Sequence, residues 1–238
     1  GSALRASLGV VAEEKPYGQH ALVANVGFAR GHQGCAFERF TDQGPLALLP
    51  LLAAEGAPHR AALVWTLPQQ EAAHYSECEA PECLAALQDR FGYRLGRLTQ
   101  VGERFSYPLS LLQAEEQVRQ GVVIMGNAAH ALHPVAGQGF NLALRDVAAL
   151  AEILAVAFDQ GRVPGDLPVL QAYEQRQRAD QARTIQLSDL LPQLFMRSDP
   201  VLGITRDMAL SGLDVLAPLK RQFVRQAAGM AALGATSG

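Results

Sequence analysis

The stretch "GNAAHALHPVAGQGFNLALRDVAALAEIL", residues 126–154, decides the reading of this chain. It follows an apolar strand, Val122-Val123-Ile124-Met125, and runs into a helix whose apolar periodicity begins near Phe140. Strand-to-helix links usually need two to six residues, and roughly a dozen separate these two elements. The excess predicts a binding loop. Gly137-Gln138-Gly139 permits positive backbone angles and close approach of a ligand, and the helix behind it aims its free N–H groups at that place. An anionic or electron-rich group is the expected occupant, with plain turn geometry as the alternative of equal weight. His130 and His133 stand three residues apart without a third Cys, His or carboxylate at ligand spacing, so they read as loop histidines and no metal is expected there.

Outside this turn, composition sets bounds. With 238 residues, 49% of them hydrophobic, the chain can bury a sizeable core. A formal charge of −3 gives no reason to expect a nucleic-acid partner. Cys35, Cys78 and Cys83 form no C-x-x-C pair and leave an odd count, which predicts reduced, cytoplasmic thiols and neither a disulfide framework nor a zinc site. No apolar run is long enough to span a bilayer, and no secretory signal pattern opens the chain.

The elements before and after the turn differ in kind, which predicts an α+β fold. "HALVANVGFA", "GCAFERFT", "GPLALLPLL" and "RAALVWTL", between His20 and Leu67, read as four strands of an antiparallel meander. Residues 69–91 read as a helix over one sheet face, with Cys83, Leu84, Leu87 and Phe91 at helical spacing and Gly92 as its stop. "RLTQVGERFSYPLS" reads as a further strand, and 113–120 as an exposed connection. Helices are expected over 140–158, 167–197 and 200–233. A single buried strand cannot satisfy its own backbone, so Val122–Met125 is expected to belong to a sheet whose other strands lie outside this chain. The domains expected are 1–115, a substrate-binding sheet; 116–190, the strand and helices of a cofactor domain; and 191–238, a helical tail.

"GNAAHALHPVAGQGFNLALRD" resembles the second flavin-binding motif of the class A FAD-dependent aromatic monooxygenases, which reads G-D-A-A-H, a proline, then G-x-G-x-N. "AFERFTDQGPLALLPL", "YPL" at 107–109 and "YEQRQRAD" at 173–180 resemble the ubiquinone-biosynthesis hydroxylases of that superfamily, most closely the 2-polyprenyl-6-methoxyphenol hydroxylase type. The resemblance runs from the first residues to about Asp189. The family's opening βαβ unit with G-x-G-x-x-G, which holds the ADP half of FAD, is absent, and "GSALR" resembles the end of the D-G-x-x-S-x-x-R motif; a truncated FAD-binding domain is therefore expected.

The resemblance implies that Gly126 and Asn127 meet the flavin ribityl chain, that His130 belongs to the same motif, and that Pro134 lies beside the isoalloxazine ring. It places Gly137, Gln138 and Gly139 at the ring's pyrimidine edge, where negative charge grows on reduction, and Asn141 as an added donor. Without the resemblance Asn141 reads as a helix cap. Arg145 and Asp146 read as solvated helix charges, with a local ion pair or an orienting role for the loop as the alternative. The chemistry implied is attack of a C4a-hydroperoxyflavin on a polyprenylated phenol, with NAD(P)H as reductant and the sheet lying over the flavin ring. Phe37, Arg39, Phe40, Leu48, Pro50, Trp65 and Tyr107 are the candidate substrate-lining residues, with core packing as the competing reading for the apolar ones. No side chain is assigned a catalytic role, and the isolated chain is expected to be inactive.

Other ubiquinone-biosynthesis proteins are the expected protein partners. The tail carries Lys220, Arg221 and Arg225 among apolar residues and is read as packing on the domain, with a peripheral contact at the inner face of the membrane as the alternative. A flavin-free binding or assembly module is the competing function. A phosphate-binding turn is disfavoured because no Lys with Ser or Thr adjoins the glycines.

Overall fold

The computed structural model describes residues 2–196. They fall into two compact units, Pro16–Leu109 and a second built from Gly1–Lys15 with Ser110–Leu194. The helix expected over 200–233 and the basic tail lie outside the described residues.

The first unit is an antiparallel sheet under two helices. Its strands are β1 (Ala12–Phe28), which begins in the second unit, β2 (Phe37–Phe40), β3 (Pro45–Leu51), β4 (Arg60–Pro68), β5 (Leu98–Val101) and β6 (Phe105–Ala114), which ends in the second unit. The order is β2-β3-β4-β1-β6, with β5 also paired to β1. Only β2, β3 and β4 form the expected meander. β1 pairs with β4 (Leu22 opposite Trp65, Ala24 opposite Leu63) and not with β2. The reason is burial: Leu22, Ala24, Val26 and Phe28 line one face of β1, and an edge position would leave them half covered.

Alternation divides the sheet into two faces. Leu22, Leu46, Leu48, Leu63, Trp65 and Leu67 share the face packed against the helices. A short helix, α1 (Ala3–Ser7), opens the chain, and the segment covering the sheet is two helices, α2 (Gln69–Glu77) and α3 (Ala80–Phe91), broken at Cys78-Glu79. Pro81 causes the break, since its ring fits a first helical turn but not an interior one. Cys83, Leu87 and Phe91 are buried, and Gly92 ends α3 at φ +82°. The strand expected over 97–110 is divided into β5 and β6 by Gly102, whose N–H donates to the Asn25 carbonyl.

The second unit holds the turn. β7 (Val118–Arg119) and β8 (Val122–Val123) form a short antiparallel hairpin around Gly121, at φ +73°. The expected parallel-type strand is therefore replaced, among the described residues, by a local hairpin that satisfies β8 from the preceding segment. Residues 113–120 are likewise not a plain exposed connection, because Val118 is buried with Ala149, Leu170 and Tyr173. β9 (His130–Ala131) pairs with the end of β6, and helices α4 (Gln138–Asp159) and α5 (Leu167–Met196) follow. Among the described residues, no helix is long and apolar enough to cross a membrane.

Candidate functional site

The turn is irregular because its backbone doubles back twice. Gly126 (φ +58°) opens a single 3₁₀ turn, Gly126–Ala128, and Gly137 (φ +60°) closes a second, Val135–Gly137, at the entry to α4. A side chain at either glycine would be held in the left-handed region. The first turn is anchored from below: the Ala114 N–H donates to the Ala129 carbonyl at 2.7 Å, and Arg5 Nη1 donates to the Ala128 carbonyl at 2.9 Å. Asn127 is exposed at its crest.

α4 starts at Gln138, two residues before the expected onset, with Gly137 as its N-cap and no side-chain cap. Asn141 lies inside the helix, so the capping role is overturned. A Cβ added at Gly139 would meet nothing within 4 Å, and Phe140 beside it is 72% exposed. The helix N-terminus thus opens onto free space, with its positive dipole end available to an electron-rich ligand.

Beneath the turn lies a buried polar network. His130 and Asp146 are both almost fully buried, with His130 Nε2 3.2 Å from Asp146 Oδ2. That approach lacks the alignment of a good hydrogen bond. Gln177 and Gln181 of α5 donate to Asp146 Oδ1 at 2.9 and 3.0 Å. Burial opposes ionisation of Asp146, but the contacts from His130, Gln181 and Gln177 outweigh it and hold its carboxyl below the ordinary aspartate value. Arg145 reaches Asp180 at 2.7 Å and Thr184 at 3.1 Å. The reading of Arg145 and Asp146 as solvated charges is therefore corrected: they tie α4 to α5. His130 sits in this support and not on the open surface. His133 is buried as well, with its Nδ1 accepting from the Val135 N–H at 3.3 Å, and burial lowers its pKa to about 4.

Asp146 carried a sequence signal that went unused. It falls on the buried side of α4 with Leu142 and Ala149, and a carboxylate at a core position of an amphipathic helix requires partners.

In the sheet unit, the candidate substrate residues separate by face. Leu48 and Trp65 are fully buried core, Trp65 stacked on Tyr75 with centroids 5.0 Å apart. Phe37 packs edge-on against Phe91, and Arg39 donates to the Phe91 carbonyl at 3.0 Å, closing the end of α3. Alternation along β3 puts Pro50 on this same helix-covered face. Phe40 and Tyr107 lie on the other face. Tyr107 is placed there by alternation from Ser106, whose Oγ is 3.0 Å from His20 Nδ1 on the covered side. Val23, Ala47, Leu49 and Val64 share this second face; Leu49 is 45% exposed and Tyr107 54%. The sequence reading missed these aliphatic residues because β3 and β4 are apolar on both faces.

Comparison with known proteins agrees with this architecture. A family model described as FAD binding domain matches residues 1–188. Ubiquinone hydroxylase UbiL of Rhodospirillum rubrum is 39% identical over 98% of this chain and 53% of its own length. The 3-demethoxyubiquinol 3-hydroxylase of Escherichia coli is 30% identical over 96% of this chain and 57% of its own. The chain thus spans about half the length of these curated relatives. Among solved structures, p-nitrophenol 4-monooxygenase PnpA from Pseudomonas putida DLL-E4 superposes with a TM-score of 0.70 at 18% identity, covering 95% of this chain and 56% of that one. PqsL from Pseudomonas aeruginosa superposes with a TM-score of 0.67 at 23% identity, covering 81% and 53%. With four-fifths of its length matched by that family model, the chain belongs to the FAD-binding domain family.

Proposed function

We propose that the protein carrying this chain hydroxylates a polyprenylated phenol in ubiquinone biosynthesis, using FAD, molecular oxygen and NAD(P)H. The observation that carries the reading is the open, side-chain-uncapped N-terminus of α4 behind the Gly137-Gln138-Gly139 turn. These residues suit a flavin: the N-terminus of α4 lies beside open space at Gly139, and Asn127 is exposed to meet a ribityl hydroxyl, which an amide can both donate to and accept from. FAD, when bound, supplies the oxygen-activating chemistry.

The chain's own residues position and support. The end of α4 stabilises negative charge at the turn, with the Asn141 amide as an additional donor. Gly126 and Pro134 shape the approach, while the His130–Asp146 pair and Arg5 hold the backbone beneath it. On the second face of the sheet, Phe40, Leu49, Val64 and Tyr107 form a largely apolar surface suited to an aromatic, prenylated substrate.

Gly139→Val in the protein that carries this chain tests the reading, since the structure offers no internal contact for the new side chain. Loss of bound flavin and of phenol hydroxylation, with far-UV circular dichroism unchanged, is the expected result. Wild-type flavin content would remove the turn from the site.

A further inference from the structure

His74, Cys78 and Glu82 belong to no part of the site above, yet the break between α2 and α3 gathers them. Their spacing of four and four residues would place them on one face of a continuous helix. The actual path is tighter: the Cys78 N–H closes α2 on the His74 carbonyl at 2.9 Å, the chain turns at Glu79, and the first turn of α3 returns Glu82 to His74, with Nε2 and Oε1 2.8 Å apart. The imidazole nitrogen, the thiol sulfur and a carboxylate oxygen all lie within 4.8 Å of one another.

We propose that His74, Cys78 and Glu82 form a zinc(II) site that clips α2 to α3. Zinc bond lengths require ligand atoms about 3.3–3.7 Å apart in a tetrahedron. The imidazole and carboxylate must part slightly and the sulfur draw inward, which His74 and Glu82, both exposed, accomplish by side-chain rotation. One nitrogen, one sulfur and one oxygen are a borderline donor set that favours zinc over magnesium or calcium. Thiolate and carboxylate together neutralise the ion, leaving water as the fourth ligand. Arg104 supplies outer support: Nη2 donates to the Cys78 carbonyl at 2.7 Å and Nη1 lies 3.8 Å from Sγ, where it can donate to a zinc-bound thiolate. Zinc uptake releases the Cys78 thiol proton to solvent, since the thiolate is the ligand.

Cysteine counting looks for paired cysteines and so does not reach this place, where the proposed ligands come from both sides of a helix break. Nothing in the site depends on flavin.

Cobalt(II) titration of the full chain carrying Cys35→Ser, which removes the exposed thiol, is the direct test. One equivalent should give a near-ultraviolet thiolate-to-cobalt band with the intense visible absorption of four-coordinate cobalt, and zinc should displace it. Adding Cys78→Ser should abolish the near-ultraviolet band. His74→Gln and Glu82→Gln should each weaken zinc binding at least about tenfold, and zinc should raise the melting temperature of the parent but not of the Cys78→Ser variant. Absence of the band, its persistence after Cys78→Ser, or zinc affinity indifferent to His74 and Glu82 would each overturn the site.

Discussion

Stability of this chain should fall with acidity well before its carboxylates titrate, because His133 is buried neutral. Its pKa is lowered from 6.5 to about 4 by burial, with Asp189 pulling weakly the other way. Between these values the unfolded chain binds a proton that the native chain refuses, so stability rises with pH across this window. The penalty is absent above the unfolded pKa and complete below the folded one. A lowering of this size corresponds to about 3 kcal/mol, a large share of the stability of an ordinary domain. The perturbation of choice is His133→Asn, whose side-chain oxygen can keep the hydrogen bond from the Val135 N–H but cannot titrate. Asp146 does not confuse the comparison, because its lowered pKa preserves its contribution until pH falls below the ordinary aspartate value. Urea unfolding of both proteins, taken from about pH 7.5 to about pH 4.5, measures the difference. The wild type should lose about 2.5 kcal/mol more than the variant over that range. Parallel losses would show that the imidazole is not held neutral, and the reasoning from burial would fail.

Further outcomes follow from the same coordinates. Asp146→Ala strips His130, Gln177 and Gln181 of their shared acceptor and should cost about 3–5 kcal/mol by denaturant titration. Gly137→Ala should cost about 1–2 kcal/mol because its φ is positive, whereas Gly139→Ala, in an ordinary helical conformation with open space around it, should be neutral or stabilising by up to about 1 kcal/mol; thermal melts of the pair separate backbone strain from ligand space. Leu48→Ala should destabilise by about 2–5 kcal/mol as a core truncation. Leu49→Ala, on the second face, should change stability by less than about 1 kcal/mol and instead raise KM for a prenylated phenol.

How much of this was legible in the sequence depended on whether a signal was local. The positive angle at Gly137, the stop at Gly92 and the start of α4 within two residues of Phe140 all follow from glycine freedom and helical periodicity, which act over a few residues. Strand order was not local. β1 lies beside β4 because a strand with a fully apolar face gains most from a central position, and no pattern within β1 names the neighbour that provides it. Asp146 was half legible: its place on the buried side of α4 could be counted, but its partners Gln177 and Gln181 stand more than thirty residues away on another helix.

The two faces of the sheet show why substrate contacts are harder to read than cofactor contacts. Alternation states that Leu48 and Leu49 point in opposite directions, and nothing in "GPLALLPLL" states which direction the helices cover. Size and hydrophobicity favoured Leu48 and Trp65, the residues that the core claims first, since a large apolar side chain is stabilised most by full burial. A pocket for an apolar substrate must be lined by side chains of the same chemistry that stop short of burial, as Leu49 and Tyr107 do. The turn escapes this ambiguity because its marks are in the backbone: positive φ at Gly126 and Gly137 favours glycine whatever packs around it. A turn that depends on left-handed backbone therefore leaves a mark in glycine positions, while a partly exposed aliphatic face is visible only once the covered face is known.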